Sequence, residues 1–111
     1  MTKTNFPLKR DKYKSARGGY SRLLDVCCRK CEKTVVIYQK DGPGALWRLY
    51  LDRIFSPAEM KNLQNFNIKD VPPLKCPDCG EILGTPYIYA KEKRPAFRLF
   101  QNITIKKIKK I

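Results

Sequence analysis

The chain has no histidine, only ten acidic residues, one tryptophan and no apolar run approaching the ~18 residues of a membrane-spanning helix. Without an imidazole, the commonest general base is missing, and the carboxylates form no paired motif, so an enzyme has little support. The segment Asp41-Gly42-Pro43-Gly44 lacks the Lys-Ser/Thr ending of a P-loop, which excludes nucleotide hydrolysis. Its blander reading is a hairpin connection; the other is a bare backbone approaching a phosphate beside Lys40 and Arg48. The N-terminal MTKTNFPLKR is basic but leads into no apolar stretch, so no secretory signal is expected. Five cysteines, an odd number, without such a signal favour a reducing compartment and free or metal-bound thiolates, and the cytoplasm is the expected location.

What is abundant is positive charge. Lys and Arg number 24, for a net charge of +14, over 111 residues. Residues 1–22 carry seven basic side chains against one acid, and residues 91–111 carry eight against one. The two ends therefore hold nearly the whole excess around an almost neutral middle. So one-sided a balance points to a polyanionic partner, nucleic acid first. The length suits one small domain, and a core this small gains from a staple such as a metal.

Residues 1–22, with Gly18-Gly19 and few large apolar side chains, read as a flexible basic arm. Thr34-Val35-Val36-Ile37-Tyr38-Gln39 is β-branched and aromatic, and reads as a strand. In the run from Ala45 to Ile54, Ala45, Trp47, Leu49 and Leu51 alternate on one face. That pattern suits a strand pairing back on 34–39, although the leucines leave a helix open. Ser56-Pro57-Ala58-Glu59 has the form of a helix start, with Ser56 as N-cap and a helix over 57–65. Val71-Pro72-Pro73 stops it. Glu81 to Ala90, broken by Gly84 and Pro86, reads as one bent or edge strand, or two short ones. The C-terminus stays open: Phe97, Leu99, Ile103 and Ile105 alternate as in a strand, while Ile105, Ile108 and Ile111 form a helical stripe among lysines.

Two Cys-x-x-Cys pairs carry the chemistry: Cys28 with Cys31, and Cys76 with Cys79. A two-residue gap lets both sulfurs of a tight turn reach one ion, and two such turns complete a tetrahedral four-thiolate shell. Zinc fits best, with iron as a minor competitor because it takes the same shell. A closed shell leaves no position for water, so the expected role is structural. In Cys76-Pro77-Asp78-Cys79-Gly80 the proline sets the turn and Gly80 is free to take a positive φ. The first turn has Glu32 in that place, with Arg29, Lys30 and Lys33 around it. Neither pair opens a helix within a βαβ unit, as a thioredoxin-like site requires. Cys27, one position from a ligand, should face away from the metal and be a small buried side chain.

Across residues 24–90 these two knuckles resemble the zinc-ribbon superfamily, in which two turns grip one zinc over β-hairpins. The resemblance implies a β-rich fold with antiparallel strands and a structural zinc, and leaves function open. The expected organisation is thus a basic arm (1–22), a zinc-ribbon domain (23–90) with a short helix, and a basic extension (91–111).

The expected function is binding of nucleic acid, RNA ahead of DNA, in the manner of small ribosome-associated zinc proteins. Phosphates would meet Lys9, Arg10, Lys12, Lys14, Arg17 and Arg22 on one arm, and Arg94, Arg98, Lys106, Lys107, Lys109 and Lys110 on the other. Tyr13, Tyr20, Phe97 and Phe100 are candidates for stacking on unpaired bases. The alternative is an adaptor docking on a transcription or other nucleic-acid machine through Trp47, Tyr50 and Phe55. A weaker one is membrane-surface binding through the Ile105/Ile108/Ile111 stripe.

Overall fold

Alternation along β1 (Ser21–Cys28) decides the architecture. Leu24, Val26 and Cys28 point into the main core, while Leu23 packs on the opposite face with Ile37 and Phe55. The computed structural model describes residues 8, 9, 11–13, 21–42 and 44–108. The following strands are β2 (Thr34–Asp41), β3 (Arg48–Tyr50), β4 (Ile54–Ser56), β5 (Leu74–Lys75), β6 (Ile82–Tyr89), β7 (Arg94–Leu99) and β8 (Thr104–Ile108). They form two antiparallel four-stranded sheets, ordered β4-β2-β1-β8 and β3-β7-β6-β5. Leu24, Val36 and Ile54 from the first sheet meet Leu49, Leu74 and Phe97 from the second in one core. This is the zinc-ribbon-like β-rich domain that the cysteine turns imply, with a short helix, α1 (Ala58–Lys61), beside it.

Several expectations need correction. The run 45–54 is not one strand pairing on 34–39. Arg48–Tyr50 pairs with β7 in the second sheet; a 3-10 turn at Leu51–Arg53 then carries the chain across, and Ile54–Ser56 pairs with β2. The segment between β2 and β3 is accordingly a crossing between sheets and not a hairpin connection. Pro43 lies outside the described residues; Gly42 and Gly44 both have positive φ, 81° and 103°. Lys40, which the phosphate reading of this loop invoked, is buried and donates from Nζ to the Gly42 carbonyl at 2.9 Å.

The helix at 57–65 is half α and half 3-10, divided at Asn62 (Asn62–Asn65 is the 3-10 part). Ser56 does not cap it, because its backbone is committed to the ladder opposite Ile37; Pro57 takes the N-cap position with ψ 168°. Residues 82–89 form one strand. The two-residue β5 partners it only as far as Gly84, so Pro86 falls where that side of β6 is an edge, the place a strand tolerates proline.

The C-terminal region is a strand, and it is no appendage. β7 sits between β3 and β6, and β8 pairs with β1 from Leu24 to Cys28. The basic residues of 94–108 are therefore fixed on sheet faces.

Most of the arm at 1–22 lies outside the described residues, including Gly18, Gly19 and Tyr20. Of those described near its middle, Leu8, Lys9 and Asp11 contact the domain. Leu8 covers the small cluster of Leu23, Ile37 and Phe55. The fully buried Gln39 amide brackets the Lys9 backbone, accepting from its N–H at 2.6 Å and donating to its carbonyl at 3.0 Å. Asp11 pairs with both terminal nitrogens of Arg53 at 2.6 and 3.0 Å.

Candidate metal centre and basic face

The four cysteines named from spacing converge. Their sulfurs all lie within 4.8 Å of one another, with Cys28 Sγ 3.6 Å from Cys79 Sγ and Cys31 Sγ 3.4 Å from Cys76 Sγ. A tetrahedron with metal–sulfur bonds of about 2.3 Å has sulfurs about 3.8 Å apart, so the donor set fits one four-coordinate ion. All four thiols are free. Four cysteines are thus positioned to hold a single metal ion.

Each turn caps a hairpin, and the two hairpins belong to different sheets: β1–β2 in the first, β5–β6 in the second. An ion held at this point would tie the sheets together at one end of the core. The two turns are built alike. The Cys28 amide donates to the Lys33 carbonyl at 2.9 Å, as the Cys76 amide does to Glu81 at 2.9 Å. The Glu32 amide closes on the Cys28 carbonyl at 2.7 Å, as the Gly80 amide does on Cys76 at 2.9 Å. Lys30 in the first turn bridges to Glu81 beside the second at 3.2 Å.

This backbone also aims donors at sulfur. On Cys76, burial opposes ionisation, but the amides of Cys79 and Asp78 and the adjoining thiols outweigh it and bring the group down to about 7. On Cys31 the Lys33 amide favours the thiolate, yet burial and the three other sulfurs win and push it up to about 12. Four thiolates crowded this closely repel one another, and a divalent cation held between them would offset that charge.

Cys27 stays out of the cluster. It is buried on the opposite face of β1, where burial first and Asp25 second push its thiol up, the setting of an unreactive packing residue. A register shift lets Cys27 face Thr34 and leaves Val35 as the extra residue of β2, so that both Val35 and Val36 are buried.

The expected nucleic-acid residues fare unevenly. Arg10, Lys14, Arg17, Lys109 and Lys110 lie outside the described residues. Lys12, Arg98, Lys106 and Lys107 are exposed, and Arg22 is half-buried. Lys9 is half-buried, with its ammonium on the Asp52 carbonyl, and burial lowers its pKa. Arg94 is a correction: it is 3% exposed, paired with Asp52 at 2.8 Å and Glu92 at 3.3 Å, and stacked on Tyr50 and Tyr13. It cannot reach a phosphate. Phe97 is likewise core, whereas Phe100 is 45% exposed. Of the three residues expected to contact a protein partner, Tyr50 and Phe55 are buried and only Trp47 is open.

Two features escaped the sequence. One is Arg53, fully buried between Asp41 and Asp11, with 2.9 Å from Nε to Asp41. Its partners are 12 and 42 positions away, and no local pattern joins them. The other is a groove of ≈ 520 Å³ between Trp47 and Phe100, with Arg29 and Lys106 in its lining. Trp47 shares its alternation with Leu49 and so reads as core; it escapes to the surface because it precedes the strand, in the crossing segment. Among the described residues no helix is long and apolar enough to cross a membrane. Comparison with protein-family models, curated proteins and solved structures gives no match.

Proposed function

We propose that this chain is a structural-zinc nucleic-acid-binding protein, with RNA favoured over DNA, that works by binding and not by catalysis. Zinc is assigned over iron because the closed four-sulfur shell organises two hairpins and calls for no redox change. Binding of structural zinc contributes on the order of 10–16 kcal/mol. That is comparable to the whole stability of an ordinary domain, about 5–15 kcal/mol. The metal therefore decides whether the fold exists.

The observation that supports a polyanionic partner is where the acids sit. Four of the ten, Asp11, Asp41, Asp52 and Glu92, are taken up by the two buried arginines, Arg53 and Arg94. A fifth, Glu81, pairs with Lys30. The surface is consequently more basic than the composition implies, and Arg29, Arg98, Lys106 and Lys107 stand exposed on it. Each cation that meets a phosphate releases counterions, which gives tight, salt-sensitive association. A ribonucleoprotein such as the ribosome is the partner class that suits a small basic zinc protein.

The test is mobility shift with structured RNA across a salt series. Affinity is expected to fall steeply with salt, and Lys106→Glu and Lys107→Glu should each flatten the log–log slope by roughly 0.7–0.9 per phosphate no longer neutralised. Point substitutions are the sound probe, since removing residues 96–111 would strip β8 and most of β7 from the sheets. Undiminished binding at high salt to a protein, with no RNA retained, would instead favour the adaptor reading.

A further inference from the structure

The chain exposes two large aromatic rings on one groove, Trp47 at 60% and Phe100 at 45%. Rings this size gain free energy on leaving water, so two of them exposed on one concavity mark a candidate binding surface. The groove's ≈ 520 Å³ lies within the range of ligand pockets, about 300–1,000 Å³. Its charge narrows the choice of occupant. Arg29 and Lys106 line it together with the neutral Gln101 and Asn102, and no carboxylate does so among the described residues.

Both rings are held by ladder-like backbone. The Leu99 amide donates to the Trp47 carbonyl at 3.2 Å, and the Phe100 amide donates to the Leu83 carbonyl at 2.9 Å. The backbone that carries both rings is therefore paired, which lowers the ordering cost of binding. Trp47 also borders a second cavity, of ≈ 380 Å³, with Arg48, Tyr87, Tyr89 and Arg98. There the Arg48 guanidinium lies 4.0 Å over the Tyr89 ring and Arg98 lies 4.6 Å over Tyr87. Aromatic rings and cations thus continue across the outer face of β3, β7 and β6.

We infer that the Trp47/Phe100 groove binds single-stranded nucleic acid, stacking unpaired bases on the two rings while Arg29 and Lys106 meet the backbone. This rests on the nucleic-acid reading above and sharpens it. Duplexes keep their bases stacked on one another and offer a groove of this kind only phosphates, whereas single strands present free π-faces.

Trp47 is the only tryptophan, so its emission reports on the groove directly. Titrating the metal-loaded full chain with oligouridine is expected to quench that emission saturably. In mobility shift, Trp47→Ala and Phe100→Ala are each expected to weaken oligouridine binding about tenfold or more. Trp47→Phe should restore most of it, and duplex RNA should bind all three variants like the parent. Trp47→Phe keeps a ring in place, so it separates loss of stacking from loss of fold.

Unchanged emission at saturating oligouridine, or parental affinity in both alanine variants, would overturn the groove assignment while leaving the nucleic-acid reading intact. An equal response to polyglutamate would also overturn it, since charge alone would then suffice. Failure to retain either oligouridine or structured RNA would remove both readings.

Discussion

Glu32 and Gly80 hold the same place in the two cysteine turns, each the residue after the second cysteine and each in the left-handed backbone region, at φ 63° and 79°. Glycine takes that conformation without steric cost; a glutamate carries a strain of roughly 1–2 kcal/mol there. Glu32→Gly is therefore expected to stabilise the folded protein by about 0.5–1 kcal/mol, part of the gain being offset by the freer unfolded chain. Gly80→Ala is expected to cost about 1 kcal/mol. A Cβ at Gly80 meets nothing within 4 Å, so that loss comes from the backbone alone. Denaturant midpoints at fixed zinc check both signs.

Gly84 makes a different demand. A Cβ there would stand 2.4 Å from the Arg98 carbonyl oxygen, a backbone atom locked in the β6–β7 ladder. Gly84→Ala is expected to destabilise by at least ~2 kcal/mol through forced backbone movement. Thermal unfolding of the metal-loaded variant measures it.

The Asp41–Arg53–Asp11 network predicts an asymmetric response. Arg53→Met leaves the buried Asp41 carboxylate without its cation and should cost about 3–5 kcal/mol. Asp11→Asn removes a partner that is 39% exposed and should cost under about 1 kcal/mol. Burial alone would raise the Asp41 pKa, but Ser21, Gln39 and Arg53 together hold it below the usual carboxylate value. A lowered folded-state pKa means the group stabilises the fold above its unfolded pKa, near 3.9. That contribution fades as pH falls through the folded value. In Arg53→Met the acid limb of a stability–pH curve should be shallower; an unchanged limb would place the acid sensitivity elsewhere.

Two neighbouring thiols separate ligand from core. Cys28→Ser removes a sulfur from the shell and should abolish stoichiometric zinc, with loss of the folded state in near-ultraviolet dichroism. Cys27→Ser should keep full zinc and lose only about 1–3 kcal/mol, the cost of burying a hydroxyl. Equal zinc loss in both variants would mean that the register of β1 is wrong.

The metal ligands were legible because Cys-x-x-Cys is a local geometric demand, and β2 because a run of β-branched and aromatic residues favours a strand. The path of 45–54 was not. Leu49, Leu51 and Arg53 are all fully buried, yet they lie across a turn that changes sheets, and such a crossing leaves no period in the sequence. The helix start at Ser56 misled because a tertiary ladder to Ile37 overrides local capping. The packing of Lys9 and Asp11 was invisible because it depends on Gln39 and Arg53, polar residues that read as surface until their partners are in place.

Zinc K-edge X-ray absorption on the purified full chain tests the metal centre most directly. The expected result is one zinc per chain with a first shell of four sulfurs at about 2.3 Å and no lighter scatterer. A shell containing oxygen or nitrogen, or a folded chain without zinc, would contradict it.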